Sequence, residues 1–134
     1  MATGALASAK AVAFVGVRDL TAAKAFYGDL LGLRIVEESP FALVADAGGT
    51  MIRITAVETP SAAPYTVLGW AVPDIGATVR ELAARGVDFT RYEGMDTDDL
   101  GIWTTPDGSR VAWFSDPDHN TLSLTQFGDT ADTF

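Results

Sequence analysis

The chain repeats itself. Val17, Asp19 and Leu20 recur as Val72, Asp74 and Ile75, each 55 residues later by subtraction, and Gly32 recurs as Gly86, 54 later. Self-similarity at a fixed distance marks a duplicated supersecondary unit, and it narrows the possible folds more than composition does. Residues 11–17 (AVAFVGV) read as a first strand. Asp19 or Thr21 then caps a helix over 22–31, whose Ala23, Phe26, Leu30 and Leu31 form one apolar stripe. Gly32 stands just past the last turn, where a left-handed residue is favoured. Strands follow over 33–38, 41–45 and 50–57, with Pro40 and the turn residues 46–49 between them. Residues 58–64 (ETPSAAP) have no periodicity and read as a linker. The order then restarts, with a strand over 65–72, a helix through 78–84, Gly86 and a strand over 87–90. An insertion over 91–106 contains the acidic run 96–99 and a short extended piece at 102–105. Strands over 111–114 and 121–125 flank the turn Asp116-Pro117-Asp118-His119-Asn120.

Two tandem βαβββ modules, about 10–57 and 65–127, imply an α+β fold. Two curved mixed sheets set side by side make an open half-barrel with a concave cleft, each helix lying on an outer face. At 134 residues the chain is expected to be one domain with a sizeable core. The two-residue period of a strand sorts its faces. Ala13, Val15 and Val17 oppose Val12, Phe14 and Gly16; Ile52 and Ile54 oppose Arg53 and Thr55. Leu68, Trp70 and Val72 oppose Val67, Gly69 and Ala71; Leu122 and Leu124 oppose Thr121, Ser123 and Thr125. One face per strand is aliphatic and belongs under a helix. The other holds small residues, hydroxyls and one Arg, which suits a ligand cleft better than a packed core.

Charge removes other classes of partner. The net charge of −9 argues against nucleic acid, whose affinity depends on Lys and Arg meeting phosphates, and against anionic membrane surfaces. No apolar run approaches the length of a membrane span. The absence of cysteine excludes disulfides and thiolate metal sites. With no basic start leading into an apolar block, the expected location is cytoplasmic.

The stretch DLTAAKAFYGDLLGL, with Val17-x-Asp19-Leu20, Phe26-Tyr27 and Leu31-Gly32-Leu33, precedes a DPD turn and a final alternating strand. This combination, over residues 11–127, resembles the vicinal oxygen chelate superfamily. That superfamily includes glyoxalase I, fosfomycin-resistance enzymes, extradiol dioxygenases, methylmalonyl-CoA epimerase and bleomycin-resistance binding proteins. The stretch GIWTTPDGSRVAWFSDPD resembles a bacterial glyoxalase-like subgroup. The resemblance implies that metal-dependent members carry His, Glu or Gln at the centres of the first, fourth, fifth and eighth strands. Those places are here Val12, Arg53, Val67 and Ser123. A lone hydroxyl is a poor ligand for zinc, iron or manganese, and Arg53 would repel the ion. The single histidine, His119, sits in the turn where the family carries Gly. The expectation is a subgroup without metal ligands and without a cofactor.

The expected ligand-binding residues are Arg53, Ser123, Phe14, Thr55, Thr121, Thr125, Trp103 and Tyr92. Arg53 either forks onto a planar anionic group of a ligand or pairs with an inward acid such as Asp46 or Glu93. The hydroxyls either contact a ligand or bond backbone and water. Trp103, Trp113, Phe14 and Tyr92 either stack on a flat ligand or pack, while Trp70 packs. His119 reads as a solvated residue tolerating a left-handed backbone rather than a general base. The acidic run lacks the spacing and the loop Gly of a calcium-binding loop. No nucleophile–base pair and no phosphate-binding Gly loop is present, so no catalytic residue is assigned. Two classes of function follow. One is a metal-independent homodimer that binds a small organic molecule in the cleft, like the bleomycin-resistance members. The other is a diverged isomerase, lyase or dioxygenase-like enzyme acting on a small keto or hydroxy acid.

Overall fold

The computed structural model describes residues 4–128. The chain divides into two compact units at Pro60 and Ser61. The first contains β1 (Val12–Val17), α1 (Leu20–Ala23) continuing into a π-helical segment (Lys24–Leu30), β2 (Arg34–Glu38), β3 (Ala42–Ala47) and β4 (Thr50–Ala56). Its sheet runs β1-β4-β3-β2, with β1 parallel to β4 and the other pairs antiparallel. Asp19 caps the helix, its carboxylate accepting the Thr21 and Ala22 N–H groups. Ala23 and Tyr27 are buried on the helix, and Val15, Val17, Ile52 and Ile54 are buried on the sheet. Each fully buried aliphatic side chain contributes about 1.5–3 kcal/mol, so this alternation fixes which face of the sheet meets the helix.

The second unit contains β5 (Leu68–Ala71), α2 (Ile75–Ala84), β6 (Trp103–Thr104), β7 (Arg110–Ser115) and β8 (Thr121–Gln126). Its sheet order, β5-β8-β7-β6, repeats that of the first unit, again with a parallel outer pair. Asp74 caps α2 through the Ala77 N–H. Ile75, Val79 and Leu82 are buried on α2, with Ala112, Phe114, Leu122 and Leu124 buried on the sheet. Trp70 stacks on Phe114 at 6.2 Å, so it is a packing residue as its strand parity required.

Three local expectations are corrected. The first helix is not α-helical over 22–31. It begins at Leu20, and from Lys24 it widens by one residue per turn, so that the Leu31 N–H donates to the Phe26 carbonyl at 2.9 Å. Apolar spacing cannot reveal this, because Phe26 and Tyr27 meet the sheet in either geometry. The strand expected at 87–90 is absent. Gly86 turns with φ 107°, the Val87 N–H donates back to the Leu82 carbonyl, and only Thr90 makes an isolated bridge, to Trp113. The edge of the sheet is taken instead by Trp103–Thr104, from the insertion. The hairpin turn is shorter than 46–49, since β3 extends through Ala47 and Gly48-Gly49 alone turn, at φ 57° and 92°.

Candidate functional site

The DPD turn determines where the last strand begins. The Asp116 carboxylate is buried and accepts the Asp118 N–H, the Asn120 N–H and the Asn120 side-chain amide, each at 2.8–2.9 Å. His119 crosses the turn at φ 67° and is exposed. Its contribution is therefore a backbone conformation.

From this turn β8 places Thr121, Ser123 and Thr125 on the face away from α2. The register sets Ser123 between Gly69 of β5 and Trp113 of β7. Ser123 is 7% exposed and makes no hydrogen bond through its hydroxyl to a described residue. Gly69 leaves the room: a Cβ there would stand 2.9 Å from the Ser123 Oγ. Thr125 lies across from Ala71 and Val111. Thr121 is differently employed, its hydroxyl donating to the Ala63 carbonyl at 3.1 Å. Next to Ser123 is a group of three rings. Tyr92 meets Trp113 edge-on at 5.4 Å, and Trp103 is tilted against Trp113 at 6.1 Å. All three rings keep solvent exposure. The second unit thus brings together Ser123, Thr125, Trp103 and Tyr92 from the expected residues, and adds Trp113 and Gly69. Trp113 stood in the sequence only as a ring that stacks or packs; the closeness of Gly69 to Ser123 needs the register.

In the first unit Arg53 lies between Phe14 of β1 and Val44 of β3, with Thr55 two residues further along the same face. Phe14 is 65% exposed. Among the described residues Arg53 has no hydrogen bond and no ion pair. The pairing with Asp46 is not made; that carboxylate instead accepts the Gly49 N–H at 3.1 Å. A cavity of about 450 Å³ opens beside this face, lined by Val12, Val44 and Met51 with Lys10, Arg34 and Asp46. Arg53 does not line it.

Among the described residues no three His, Cys, Asp or Glu side chains converge. Of the four positions singled out by the resemblance, Arg53 and Ser123 lie within β4 and β8, whereas Val12 opens β1 and Val67 precedes β5; they offer one hydroxyl and one cation, and neither suits a divalent metal. Asp107, in the exposed turn before β7, is held below the usual carboxylate range by the Thr105 hydroxyl and then by the Ser109 N–H. It belongs to the turn and not to the ring cluster. The acidic run 96–99 is likewise tied internally: the Asp98 carboxylate accepts the Leu100 and Ile102 N–H groups.

No helix among the described residues is long and apolar enough to cross a membrane. A comparison with curated proteins gives no match. Solved structures of similar fold include a glyoxalase/bleomycin resistance protein/dioxygenase from Alicyclobacillus acidocaldarius, with TM-score 0.72 and 18% identity. That match covers 95% of this chain and 97% of the other. A superfamily member from Sphaerobacter thermophilus DSM 20745 gives 0.70 and 24% identity, over 91% and 99% of the two chains. TnmS3, an antibiotic binding protein from Streptomyces sp. CB03234, gives 0.69 and 26% identity, over 90% and 97%. The family model described as Glyoxalase/Bleomycin resistance protein/Dioxygenase superfamily matches residues 10–124. With the two mixed four-stranded sheets of that fold and a family match over most of its length, this chain belongs to the glyoxalase/bleomycin resistance protein/dioxygenase superfamily.

Proposed function

We propose that this protein is a metal-independent binder of a small, flat organic molecule, acting in the cytoplasm as a homodimer. The observation that carries the reading is the ring cluster. Tyr92, Trp113 and Trp103 form a continuous aromatic surface beside the uncommitted hydroxyl of Ser123. Half-exposed aromatic rings gain by covering their faces, and a hydroxyl without a bond to a described residue can offer one to a polar atom of the ligand. TnmS3, a similar chain, is an antibiotic binding protein, which supports the same class of function here. Thr125 contributes a second hydroxyl to this face, and Phe14, Arg53 and Thr55 a further ligand-facing set on the first unit. Binding of flat aromatic compounds, scored by thermal shift and tryptophan quenching, tests the reading. Trp103→Ala is expected to weaken the best binder about tenfold, near 1.4 kcal/mol, without unfolding the protein. If no member of a broad panel of flat aromatic compounds shifts the melting temperature, the binding reading is wrong.

The guanidinium of Arg53, without a partner among the described residues, supports a second reading, a diverged enzyme acting on a small keto or hydroxy acid, since Arg recognises planar carboxylates bidentately. Product formed from a panel of such acids, and lost in Arg53→Ala, would favour it over the binder.

A further inference from the structure

The insertion between α2 and β6 leaves the sheet edge and returns to it at the ring cluster. It departs at Thr90, whose N–H donates to the Trp113 carbonyl at 2.7 Å, and returns at Trp103, which pairs with Val111 and bridges Thr97. We propose that Arg91 and Asp98 form a strap across the base of this excursion that positions the Tyr92–Trp113–Trp103 surface for its ligand. This rests on the reading of that surface as the binding face.

Arg91 immediately precedes Tyr92, and its guanidinium spans three acceptors on the returning limb. Nη1 donates to the Thr97 Oγ1 at 3.1 Å and to the Asp98 carbonyl at 2.7 Å, and Nη2 donates to the Asp99 carbonyl at 2.7 Å. Asp98 continues the connection. Its carboxylate accepts the Leu100 and Ile102 N–H groups and lies 3.5 Å from the Arg110 guanidinium on β7. Its N–H donates to the Ile102 carbonyl at 2.9 Å. Ile102 is 2% exposed and directly precedes Trp103. A chain of charge-assisted hydrogen bonds therefore runs from the residue before Tyr92 to the residue before Trp103. A planar fork presents donors from two separated nitrogens in fixed directions, whereas an ammonium presents its three donors from one rotatable point. Arg91 and Asp98 are themselves exposed, so losing them loosens the rings more than it destabilises the unit. Arg91 and Asp98 are positioning residues, and the acidic run is the acceptor half of the strap.

The test reads ring geometry and binding separately. Near-ultraviolet circular dichroism of the ligand-free protein reports the coupling of Trp103 and Trp113, and fluorescence titration with proflavine, a flat acridine, reports binding. Arg91→Ala and Asp98→Ala are expected to collapse the tryptophan band and to weaken proflavine roughly tenfold, with far-ultraviolet spectra unchanged. Arg91→Lys should behave like Arg91→Ala. Asp98→Asn, which keeps an oxygen for the Leu100 and Ile102 N–H groups, should retain most of the band. An unchanged tryptophan band in both alanine variants overturns the strap. A collapsed band with undiminished proflavine affinity overturns its role in binding. If Arg91→Ala does not fold, the contrast between Asp98→Ala and Asp98→Asn decides alone. Should the unaltered protein fail to bind any flat probe, the binding reading falls, while the tryptophan band still decides whether the strap positions the rings.

Discussion

At the scale of single residues, His119 shows how a residue of chemical interest can be spent on geometry. A lone histidine beside two aspartates invites an acid–base role, yet its φ of 67° places it where side chains crowd the following carbonyl. The turn holds it there because the Asp116 carboxylate gathers N–H groups from both sides of it, at Asp118 and Asn120. His119→Gly is therefore expected to leave the urea midpoint unchanged or raise it, and His119→Val to lower stability by about 1–2 kcal/mol. A destabilised Gly variant would show that the imidazole itself matters. The left-handed turn was readable beforehand from Asp, Pro and Asn around it. The engagement of Thr121 with the Ala63 carbonyl was not, because its partner lies 58 residues away in sequence. Parity placed Thr121 and Ser123 on one face without separating their roles.

At the scale of elements, both helices begin at an aspartate that caps them; of the two candidates for the first, Asp19 rather than Thr21 is the cap, and Asp74 caps the second. The second cap has a component that local sequence cannot show. The Gln126 side-chain carbonyl, at the end of β8, accepts the Ile75 N–H at 2.9 Å, and Ile75 is fully buried. Without Gln126 that N–H is left unsatisfied in the interior. Gln126→Ala is expected to cost about 1–3 kcal/mol in urea denaturation, more than a surface glutamine normally would. A cost indistinguishable from zero would mean that water replaces the amide. The lost strand at 87–90 and the gained one at 103–104 have a common cause. Val87 to Thr90 has strand-like composition, but the backbone of Val87 is claimed by the helix end. Trp103 is free to pair because Asp98 brings its neighbour Ile102 into place. Strand propensity measures fit to a half-buried surface, and here two segments competed for one edge.

At the scale of the molecule, two identical sheet orders from one repeated module account for the family assignment, and the insertion accounts for what distinguishes the second unit. The first unit carries exposed apolar residues on its Arg53 face, Val12, Phe14 and Met51 among them. Covering such a face is a general driving force for association, and it supports the proposed homodimer. Light scattering on the eluting protein should give twice the chain mass, and Phe14→Glu should shift it toward the monomer. A monomer at high protein concentration would remove the dimer from the functional reading.

What the sequence determined by itself was everything that depends on local periodicity or recurrence: the duplication, the glycines past each helix and the face on which each strand residue lies. These follow from steric rules acting over a few residues. The tertiary structure alone decided which of those residues are committed. It bound Thr121 to a distant carbonyl, left the hydroxyl of Ser123 and the guanidinium of Arg53 uncommitted among the described residues, and drew Tyr92, Trp103 and Trp113 into one surface. Commitment is a matter of hydrogen-bond satisfaction and ring contact between segments far apart in the chain, and no pattern within a strand carries that information.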